Sequence, residues 1–409
     1  MLEVDVAVIG GGAAGLAAAI KAAENSKVIL LDRNDELGGV LPQCIHDGFG
    51  NFIFKKMLTG PEYTQFFIDK IEDLPVDVKL ETTVIDIKKD KRIIAISREG
   101  LLEIQAKAVV LAMGCRERTR NQILIPGYRP AGIYTAGTAQ RLINIDGILP
   151  GRRVVILGSG DIGLIMARRF KLEGAEVIGV YEIQSSPNGL PRNIVQCLED
   201  YNIPLHLSHT VVNIHGLKRV EGVTVAKVDG NLQPIKGTEQ FIPCDTLILA
   251  VGLIPENELS KEIGIPIDTV TGGPFVDNYM ETMIPGFFAC GNVVQVYDLV
   301  DDVTLTGEIA GRYASFYAKG ILNQTRRIPV FRGRGIDRVV PQFIREDSKD
   351  VTLYLRVKNI IRDAKIYVRD PNDNIIYETK RRIVKPAVME KIRFTLKGFY
   401  GNLTVGVER

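Results

Sequence analysis

Glycines at a fixed spacing mark the first place at which this chain could do chemistry. The apolar stretch 4–9 runs into a Gly-x-Gly-x-x-Gly loop formed by Gly10, Gly12 and Gly15. Such glycines allow a tight turn, a close approach of the backbone to a pyrophosphate, and close packing of the next helix. The N–H groups at the start of that helix then face the phosphates. Asp32 follows 22 residues after Gly10, where a carboxylate can accept the hydroxyls of an adenosine ribose.

The same arrangement returns 148 residues later. Gly158, Gly160 and Gly163 form a second loop after the apolar stretch 153–157, and Glu182 follows 24 residues after Gly158. An acid at this position favours the free ribose 2′-hydroxyl of NAD over the 2′-phosphate of NADP. The spacing therefore predicts two dinucleotide-binding folds, of which the second prefers NAD(H), with NADP the less favoured alternative.

The composition is that of an ordinary globular protein of two to four domains, with 409 residues, 45% of them hydrophobic and 24% charged. Lys and Arg number 51 against 49 Asp and Glu, a balance that gives no reason to expect nucleic acid as a partner. No apolar run approaches the ~18–20 residues needed to span a bilayer, and no signal-peptide pattern precedes the first strand. Five scattered cysteines without a CxxC pair favour a reducing cytoplasm.

Four further segments resemble the superfamily of glutathione reductase and thioredoxin reductase, which are FAD- and NAD-dependent pyridine nucleotide oxidoreductases. The double glycine 38–39 resembles a second FAD contact. The segments 112–114 and 250–252 both have the form Ala-x-Gly and resemble the motifs that close the FAD and NAD domains. The segment 282–292 resembles the second FAD fingerprint, which normally ends in Gly-Asp, but Asn292 replaces the aspartate. An asparagine can still accept a hydrogen bond from a ribityl hydroxyl.

The resemblance implies cofactor contacts residue by residue. The expected FAD contacts are Gly10, Gly12, Ala13, Ala14, Gly15, Asp32, Arg33, Gly38, Gly39, Val84, Ala112, Gly114, Gly291, Asn292, Leu305 and Thr306. The expected NAD contacts are Gly158, Ser159, Gly160, Asp161, Ile162, Gly163, Glu182 and Gly252. A helix beginning at Leu305 is expected to point its positive N-terminal end at the flavin pyrimidine, although an ordinary amphipathic helix is the alternative.

The resemblance covers about residues 1–325 and implies an α/β fold with two Rossmann-like domains, the second inserted in the first. Residues 1–115 and 255–330 are expected to bind FAD, and residues 116–254 to bind NAD. Period-two alternation and strong turn signals predict a small all-β domain over residues 338–409. Such a small domain either braces the flavin domain or docks another subunit.

Cys44 and His46 are candidate catalytic residues because they follow the double glycine. The redox disulfide of related reductases needs a second cysteine, but Phe49 stands five residues after Cys44. Cys44 is therefore either a low-pKa thiolate assisted by His46 or, with His46, part of the wall of a flavin pocket. The three histidines in the later part of the second fold do not have metal-ligand spacing, and no metal is expected.

The segments 38–50 and 58–63 resemble a narrower group, the flavin reductase subunits associated with glycerol-3-phosphate-dehydrogenase-like flavoproteins. That group is related to the nucleotide-binding subunits of amino-acid dehydrogenases, so the resemblance implies a partner subunit. The leading hypothesis is an FAD-dependent NAD(P)H oxidoreductase that passes electrons to a partner or a small acceptor without a dithiol relay. An NADH oxidase or peroxidase using Cys44 and a non-catalytic adenine-nucleotide-binding subunit are the alternatives.

Overall fold

A computed structural model describes residues 1–396, 398 and 401–409 and divides the chain into two units. Unit 1 contains Met1–Cys115 and Pro255–Arg409, and unit 2 contains Arg116–Ile254. Each unit has a sheet whose central strands run parallel, with helices packed against it. The α/β fold with two Rossmann-type sheets and a strand-rich C-terminal region is therefore confirmed.

The first 111 residues of unit 1 form eight strands and two helices. They are β1 (Leu2–Ile9), α1 (Ala13–Ala23), β2 (Val28–Leu31), β3 (Asp47–Phe49), β4 (Leu58–Thr59), α2 (Gly60–Glu72), β5 (Val76–Lys79), β6 (Thr83–Ile87), β7 (Arg92–Ser97) and β8 (Gly100–Leu111). Six of the strands lie in the order β5-β2-β1-β8-β7-β6. β1 pairs in parallel with β2 and β8, and their continuous apolar runs are buried on both faces, as parallel strands require.

Both helices of this part begin where the local sequence places a start signal. α1 follows the glycine loop at once and is composed largely of alanine, which allows close packing against neighbouring backbone. α2 begins with a capping box, in which Thr59 accepts from the N–H of Glu62 and the Glu62 carboxylate accepts from the N–H of Thr59. Pro61 lies in the first turn, where its missing N–H costs nothing.

Unit 2 carries the second dinucleotide fold. In chain order, its elements are β9 (Cys115–Glu117), β10 (Ile133–Thr135), α3 (Ala136–Asn144), β11 (Arg153–Leu157), α4 (Asp161–Leu172), β12 (Glu176–Glu182), α5 (Pro191–Cys197), β13 (Leu205–Leu207), β14 (His209–His215), β15 (Gly222–Lys227), β16 (Gln240–Ile242), β17 (Thr246–Leu249) and β18 (Leu253–Pro255). A five-stranded parallel sheet has the order β10-β17-β11-β12-β13, and β14, β15 and β16 form a separate antiparallel sheet.

After unit 2, unit 1 continues with two helices and one strand, and the strand completes its first sheet. They are α6 (Glu258–Ile263), β19 (Phe287–Ala289) and α7 (Val300–Ala318). β19 pairs in parallel with the end of β8 and leads to the turn at Gly291 and Asn292. The sequence predicts a helix that begins at Leu305, but α7 begins five residues earlier. Its first turn therefore carries Asp301 and Asp302, and Leu305 lies inside the helix.

The C-terminal part of unit 1 is all β in the residues that the structure describes. Its strands are β20 (Arg327–Arg332), β21 (Ile336–Val340), β22 (Phe343–Arg345), β23 (Asp350–Val357), β24 (Ile361–Arg369), β25 (Ile375–Val384), β26 (Glu390–Thr395) and β27 (Leu403–Glu408). One sheet has the order β22-β20-β27-β24-β25 and the other the order β21-β23-β26. The two sheets enclose their own apolar core. The first strand begins 11 residues before the expected start at residue 338.

No helix in residues 1–396, 398 and 401–409 is both long enough and apolar enough to span a bilayer. The same residues contain no cluster of three or more His, Cys, Asp or Glu side chains arranged to hold a metal ion.

Candidate functional site

The first glycine loop has the geometry that a dinucleotide pyrophosphate requires. Gly10 has φ +104°, and a Cβ added to it would lie 2.4 Å from the carbonyl oxygen of Ala112. A Cβ added to Gly15 would lie 1.7 Å from the carbonyl oxygen of Gly10, so only glycine allows α1 to start this close to β1. Ala13 and Ala14 form the first turn of α1, which has no side-chain cap and no acid. Its N–H groups are therefore suited to an anionic ligand.

Asp32 ties this loop to the end of β2. The N–H of Gly11 donates to Asp32 Oδ2 at 2.5 Å, and the N–H of Asn34 donates to Oδ1 at 2.8 Å. The Asp32 carboxylate is buried, whereas Arg33 beside it is exposed. The N–H of Thr82 donates to the carbonyl oxygen of Asp32 at 2.8 Å, which places the segment leading to Val84 next to the acid.

The double glycine lies against the glycine loop. Gly38 bridges to Gly12, and a Cβ added to Gly39 would lie 3.0 Å from the Cα of Gly12. Thr64 on α2 comes to the same place, since its Oγ1 would be 2.9 Å from a Cβ added to Gly38. This hydroxyl is buried without a hydrogen-bond partner among the described residues. Thr64 could not be identified from the sequence, because only the fold brings α2 to the double glycine.

The turn after β19 also meets α1. A Cβ added to Gly291 would lie 2.7 Å from the Cβ of Ala14, and the N–H of Gly291 donates to Thr306 Oγ1 at 3.0 Å. The expected contact residues Gly291 and Thr306 are thus brought together beside the first glycine loop. Asn292 Oδ1 accepts from the N–H of Tyr297 at 3.1 Å, so the side chain that replaces the usual aspartate is already oriented by the backbone.

The second glycine loop repeats the first within unit 2. Gly158 has φ +102°, and a Cβ added to it would lie 2.1 Å from the carbonyl oxygen of Ala250. A Cβ added to Gly163 would lie 2.5 Å from the carbonyl oxygen of Gly158. Gly160 precedes the first helical residue and has open space beside it. Gly252 is the last residue of the Ala-x-Gly segment, and its carbonyl oxygen accepts from the N–H of Arg118 at 3.0 Å.

Glu182 is held at the end of β12 by three hydrogen bonds. Its Oε2 accepts from the N–H of Ser159 at 2.9 Å and from Ser159 Oγ at 2.6 Å. Its Oε1 accepts from the N–H of Gln184 at 2.9 Å. Asp32 in unit 1 makes the corresponding bond to Gly11, so both glycine loops fix an acid by the N–H of their second residue.

Asp161 adds a feature that the spacing of glycines did not predict. It lies in the first turn of α4, and its Oδ1 accepts from the N–H of Leu190 at 2.8 Å and from Asn193 Nδ2 at 2.6 Å. The N–H of Asn188 donates to Ser159 Oγ at 3.0 Å. The segment 184–190 is therefore fastened to the second glycine loop at two points. Ile162, the next helical residue, is half-buried.

Cys44 and His46 lie beside the start of α2. The Cys44 thiol donates to the carbonyl oxygen of Val40 at 3.2 Å, and the N–H of Gly60 donates to the Cys44 carbonyl at 2.8 Å. Burial raises the pKa of the Cys44 thiol to about 12, which is the opposite of the low-pKa thiolate hypothesis. His46 stacks on Phe49 with ring centroids 5.1 Å apart. These contacts support a role in lining a pocket, and none of the five cysteines, all of which lie in the described part of the chain, forms a disulfide.

These observations test whether the chain fits FAD. The glycine loop, the double glycine and the Gly291 turn form a cradle that additional Cβ atoms would fill. The Thr64 hydroxyl is left without a partner at its edge. A buried acid, Asp32, is hydrogen-bonded to the same glycine loop. The residues present therefore fit FAD, and the second loop fits a pyridine nucleotide.

A fold with two such loops and this cradle defines the class of flavin-dependent pyridine nucleotide oxidoreductases. The chain belongs to the pyridine nucleotide-disulphide oxidoreductase family, whose model matches residues 4–307. It is an enzyme of this class, with FAD and a pyridine nucleotide as the family's cofactors.

Similar proteins include hydrogen cyanide synthase subunit HcnB of Pseudomonas protegens, which is 27% identical over 289 residues covering 64% of this chain and 60% of that protein. An NADH oxidase of Methanocaldococcus jannaschii is 29% identical over 318 residues, covering 72% of this chain and 64% of that protein. The chain thus spans less than two thirds of the length of these relatives. Thioredoxin reductase of T. acidophilum has a similar fold, with a TM-score of 0.64, 24% identity and coverage of 79% of this chain and all of that one.

Proposed function

We propose that this enzyme passes a hydride between NAD(H) and FAD and delivers the electrons to a partner protein or a small acceptor. The observation that carries the proposal is the pair of matched loops, each with an acid fixed by the N–H of its second residue. Asp32 accepts from Gly11 at 2.5 Å, and Glu182 accepts from Ser159 at 2.9 Å. Each carboxylate is thereby held where the hydroxyls of an adenosine ribose are expected.

The NAD preference rests on Glu182. Its carboxylate accepts three hydrogen bonds from Ser159 and Gln184, so it cannot swing away to admit a 2′-phosphate without losing them. A negative charge fixed at this point opposes the additional phosphate of NADP and accepts a free 2′-hydroxyl. We therefore expect NAD(H) to bind more tightly than NADP(H).

The chain's own groups would hold and orient the flavin. When bound, FAD supplies the ring system that takes up a hydride and passes electrons onward. The N–H groups of the first turn of α1 would hold the pyrophosphate, Asp32 would accept from the ribose, and the amide of Asn292 would bind the ribityl chain. Because no second cysteine stands five residues after Cys44, we expect no dithiol relay. The electrons of the reduced flavin are therefore expected to pass to an external acceptor.

The acceptor we propose is a partner subunit, either a glycerol-3-phosphate-dehydrogenase-like or an amino-acid-dehydrogenase-like flavoprotein. Two observations support it: the narrower resemblance of the segments 38–50 and 58–63, and the similarity to HcnB, which is named as a synthase subunit. Isolation of the protein from its own cells under mild conditions should recover a second flavoprotein in a fixed ratio. Recovery of the flavin-loaded protein alone would contradict this part of the proposal.

The test of hydride transfer is an anaerobic titration with NADH and, in parallel, with NADPH, with absorbance recorded at the flavin band. We expect NADH to bleach the band at lower concentration than NADPH. The variant Glu182→Gln should weaken the reaction with NADH and reduce the preference over NADPH. Glu176→Gln is the matched control, because Glu176 is an exposed acid at the other end of β12. No bleaching in a protein shown to contain FAD would contradict the proposal. If a parallel binding titration showed that ATP binds more tightly than NADH, this would instead indicate a non-catalytic nucleotide-binding subunit.

A further inference from the structure

The C-terminal strands contact the short segment that joins Asn292 to α7. Asp298 in this segment forms an ion pair with Arg356 on β23, and Asp298 Oδ2 accepts from the N–H of Met389 at 2.7 Å. Arg356 Nη1 also donates to the carbonyl oxygen of Ala387 at 2.8 Å. The segment is therefore fixed from one side by two neighbouring parts of the C-terminal region.

A second contact reaches the helix itself. Lys391 Nζ on β26 donates to Asp302 Oδ1 at 2.6 Å, and the same ammonium group lies over the ring of Tyr354 on β23, 5.3 Å from its centroid. Tyr354 also packs edge-on against Tyr297, with ring centroids 5.1 Å apart. Asp302 is buried in the first turn of α7, so Lys391 acts on the start of the helix.

The sheet geometry explains why these side chains act together. Tyr354 and Lys391 are direct partners in the pairing of β23 with β26. Arg356 lies two residues after Tyr354 and projects to the same face, since side chains alternate along a strand. Leu353 and Leu355 point the other way, into the apolar core between the two sheets. One polar face of the three-stranded sheet thus covers the segment 297–302.

The same segment orients the groups expected to contact the flavin. The N–H of Tyr297 donates to Asn292 Oδ1 at 3.1 Å, and Thr306, one turn after Asp302, accepts from the N–H of Gly291 at 3.0 Å. A shift of Tyr297 or of the start of α7 would therefore move the Asn292 amide or the Gly291 turn.

The contact also sets the charge at this end of α7. Asp301 and Asp302 place two buried carboxylates in its first turn, where the sequence predicted only the positive end of a helix dipole. Asp301 accepts from the N–H of Ile53, a neutral donor, so its charge is not compensated there. Lys391 supplies the positive charge that compensates Asp302. Negative charge close to a flavin opposes the electron density that collects on its pyrimidine ring upon reduction.

We propose that the C-terminal β region is part of the flavin site, with Lys391 and Arg356 as positioning residues that fix the segment 297–302 and offset the charge of Asp302. The inference rests on the flavin site proposed above and assigns the C-terminal region to it rather than to partner docking alone. Neither residue is placed in contact with the flavin; both act through Asp298, Asp302 and Tyr297.

The test compares Lys391→Met, Asp302→Asn and the double variant with Lys365→Met. Lys365 is the matched control because its ion pair with Glu408 at 3.1 Å lies within the other C-terminal sheet. FAD affinity is measured by titrating the apoprotein and following flavin fluorescence, and the midpoint potential is measured by equilibration with a redox dye. A wild-type protein that takes up no FAD would refute the flavin site itself, which is a different failure from the one tested here.

We expect Lys391→Met to bind FAD about tenfold more weakly and to shift the midpoint potential to a more negative value. Asp302→Asn should shift the potential in the opposite direction, and the double variant should return close to wild type, because both members of the ion pair are gone. Lys365→Met should match wild type in both measurements. Opposite shifts of the potential distinguish charge compensation from a general loss of packing.

Arg356→Met keeps the proposal testable if the Lys391 variant does not fold. It should weaken FAD binding and increase hydrogen–deuterium exchange over residues 294–304 in the apoprotein. The proposal is overturned if folded Lys391→Met and Arg356→Met bind FAD as wild type does and show the wild-type potential.

Discussion

At the scale of single residues, Cys44 shows how burial changes the chemistry that the sequence alone suggests for a residue. Burial raises the pKa of its thiol to about 12 from an ordinary value of 9.0. At pH 8 the reactive thiolate is therefore about 1,000-fold scarcer than for an ordinary thiol. We expect slow alkylation of Cys44 by iodoacetamide in the folded protein and rapid alkylation in denaturant, followed by mass spectrometry. Equal rates in both states would contradict this prediction, and Cys44→Ser should leave flavin reduction by NADH intact.

Asp161 is the residue at which the second glycine loop departs from an ideal anion site. Its carboxylate lies in the first turn of α4, where a dinucleotide pyrophosphate is expected, and it holds Leu190 and Asn193 through Oδ1. Asparagine keeps an acceptor oxygen but removes the negative charge. We expect Asp161→Asn to bind NADH about two- to fivefold more tightly, measured by fluorescence titration at low ionic strength.

Asp161→Ala separates charge from geometry in the same experiment. It removes the charge and also releases the segment 184–190, so it should gain less affinity than Asp161→Asn or lose affinity. Unchanged NADH binding in Asp161→Asn would show that the carboxylate does not act on the pyrophosphate.

At the scale of elements, the packing of α1 against α7 depends on two glycines. A Cβ added to Gly307 would lie 2.2 Å from the carbonyl oxygen of Ala14, and one added to Gly311 would lie 2.1 Å from that of Ala18. The two helices are thus in backbone contact. We expect Gly311→Ala to destabilise the protein by about 1–3 kcal/mol, measured by urea unfolding. Gly230→Ala, at a turn with open space around it, is the control; equal stability of the two variants would count against this packing.

What the sequence could predict follows from the range of the interactions involved. The glycine loops, Asp32 and Glu182 were predictable because each loop and its acid belong to one strand–loop–helix–strand unit. The start of α7 was predicted five residues too late, because two adjacent aspartates such as Asp301 and Asp302 are more typical of a polar loop than of a buried helix. Both carboxylates are buried, and their hydrogen-bond partners Ile53 and Lys391 are 248 and 89 positions away in the chain. No local pattern contains such partners.

Thr64 illustrates the same limit at the candidate site. It is one of several polar residues on α2, and neighbouring positions such as Gln65 are exposed. Only the register of the fold brings the Thr64 hydroxyl beside Gly38. Spacing rules therefore identify the cofactor class of the site, whereas the residues that complete its wall come from helices and sheets elsewhere in unit 1.

At the scale of the whole unit, a buried ion network joins the C-terminal β region to the nucleotide-binding part of unit 1. Arg345 Nε donates to Asp277 Oδ2 at 2.8 Å, and the same guanidinium also pairs with Glu281. Arg327 donates to both acids, to each at 3.0 Å. Arg345, Asp277 and Glu281 are all fully buried. Glu281 Oε1 also accepts from the N–H of Gly286, which immediately precedes β19. The network therefore fixes the start of the strand that leads to the Gly291 turn.

Arg345→Met tests how much this network contributes to stability. The substitution leaves Asp277 and Glu281 buried with Arg327 alone, and an uncompensated buried charge costs far more than the pair gains. We expect a loss of about 3–5 kcal/mol in the free energy of unfolding, measured by urea unfolding of the FAD-free protein. Arg393→Met removes an exposed ion pair with Asp350 and should leave the unfolding midpoint unchanged, because solvent screens that pair. A small loss for Arg345→Met would mean that water or a protonated carboxyl replaces the arginine, and the two parts of unit 1 would then be joined mainly by their backbone and apolar contacts.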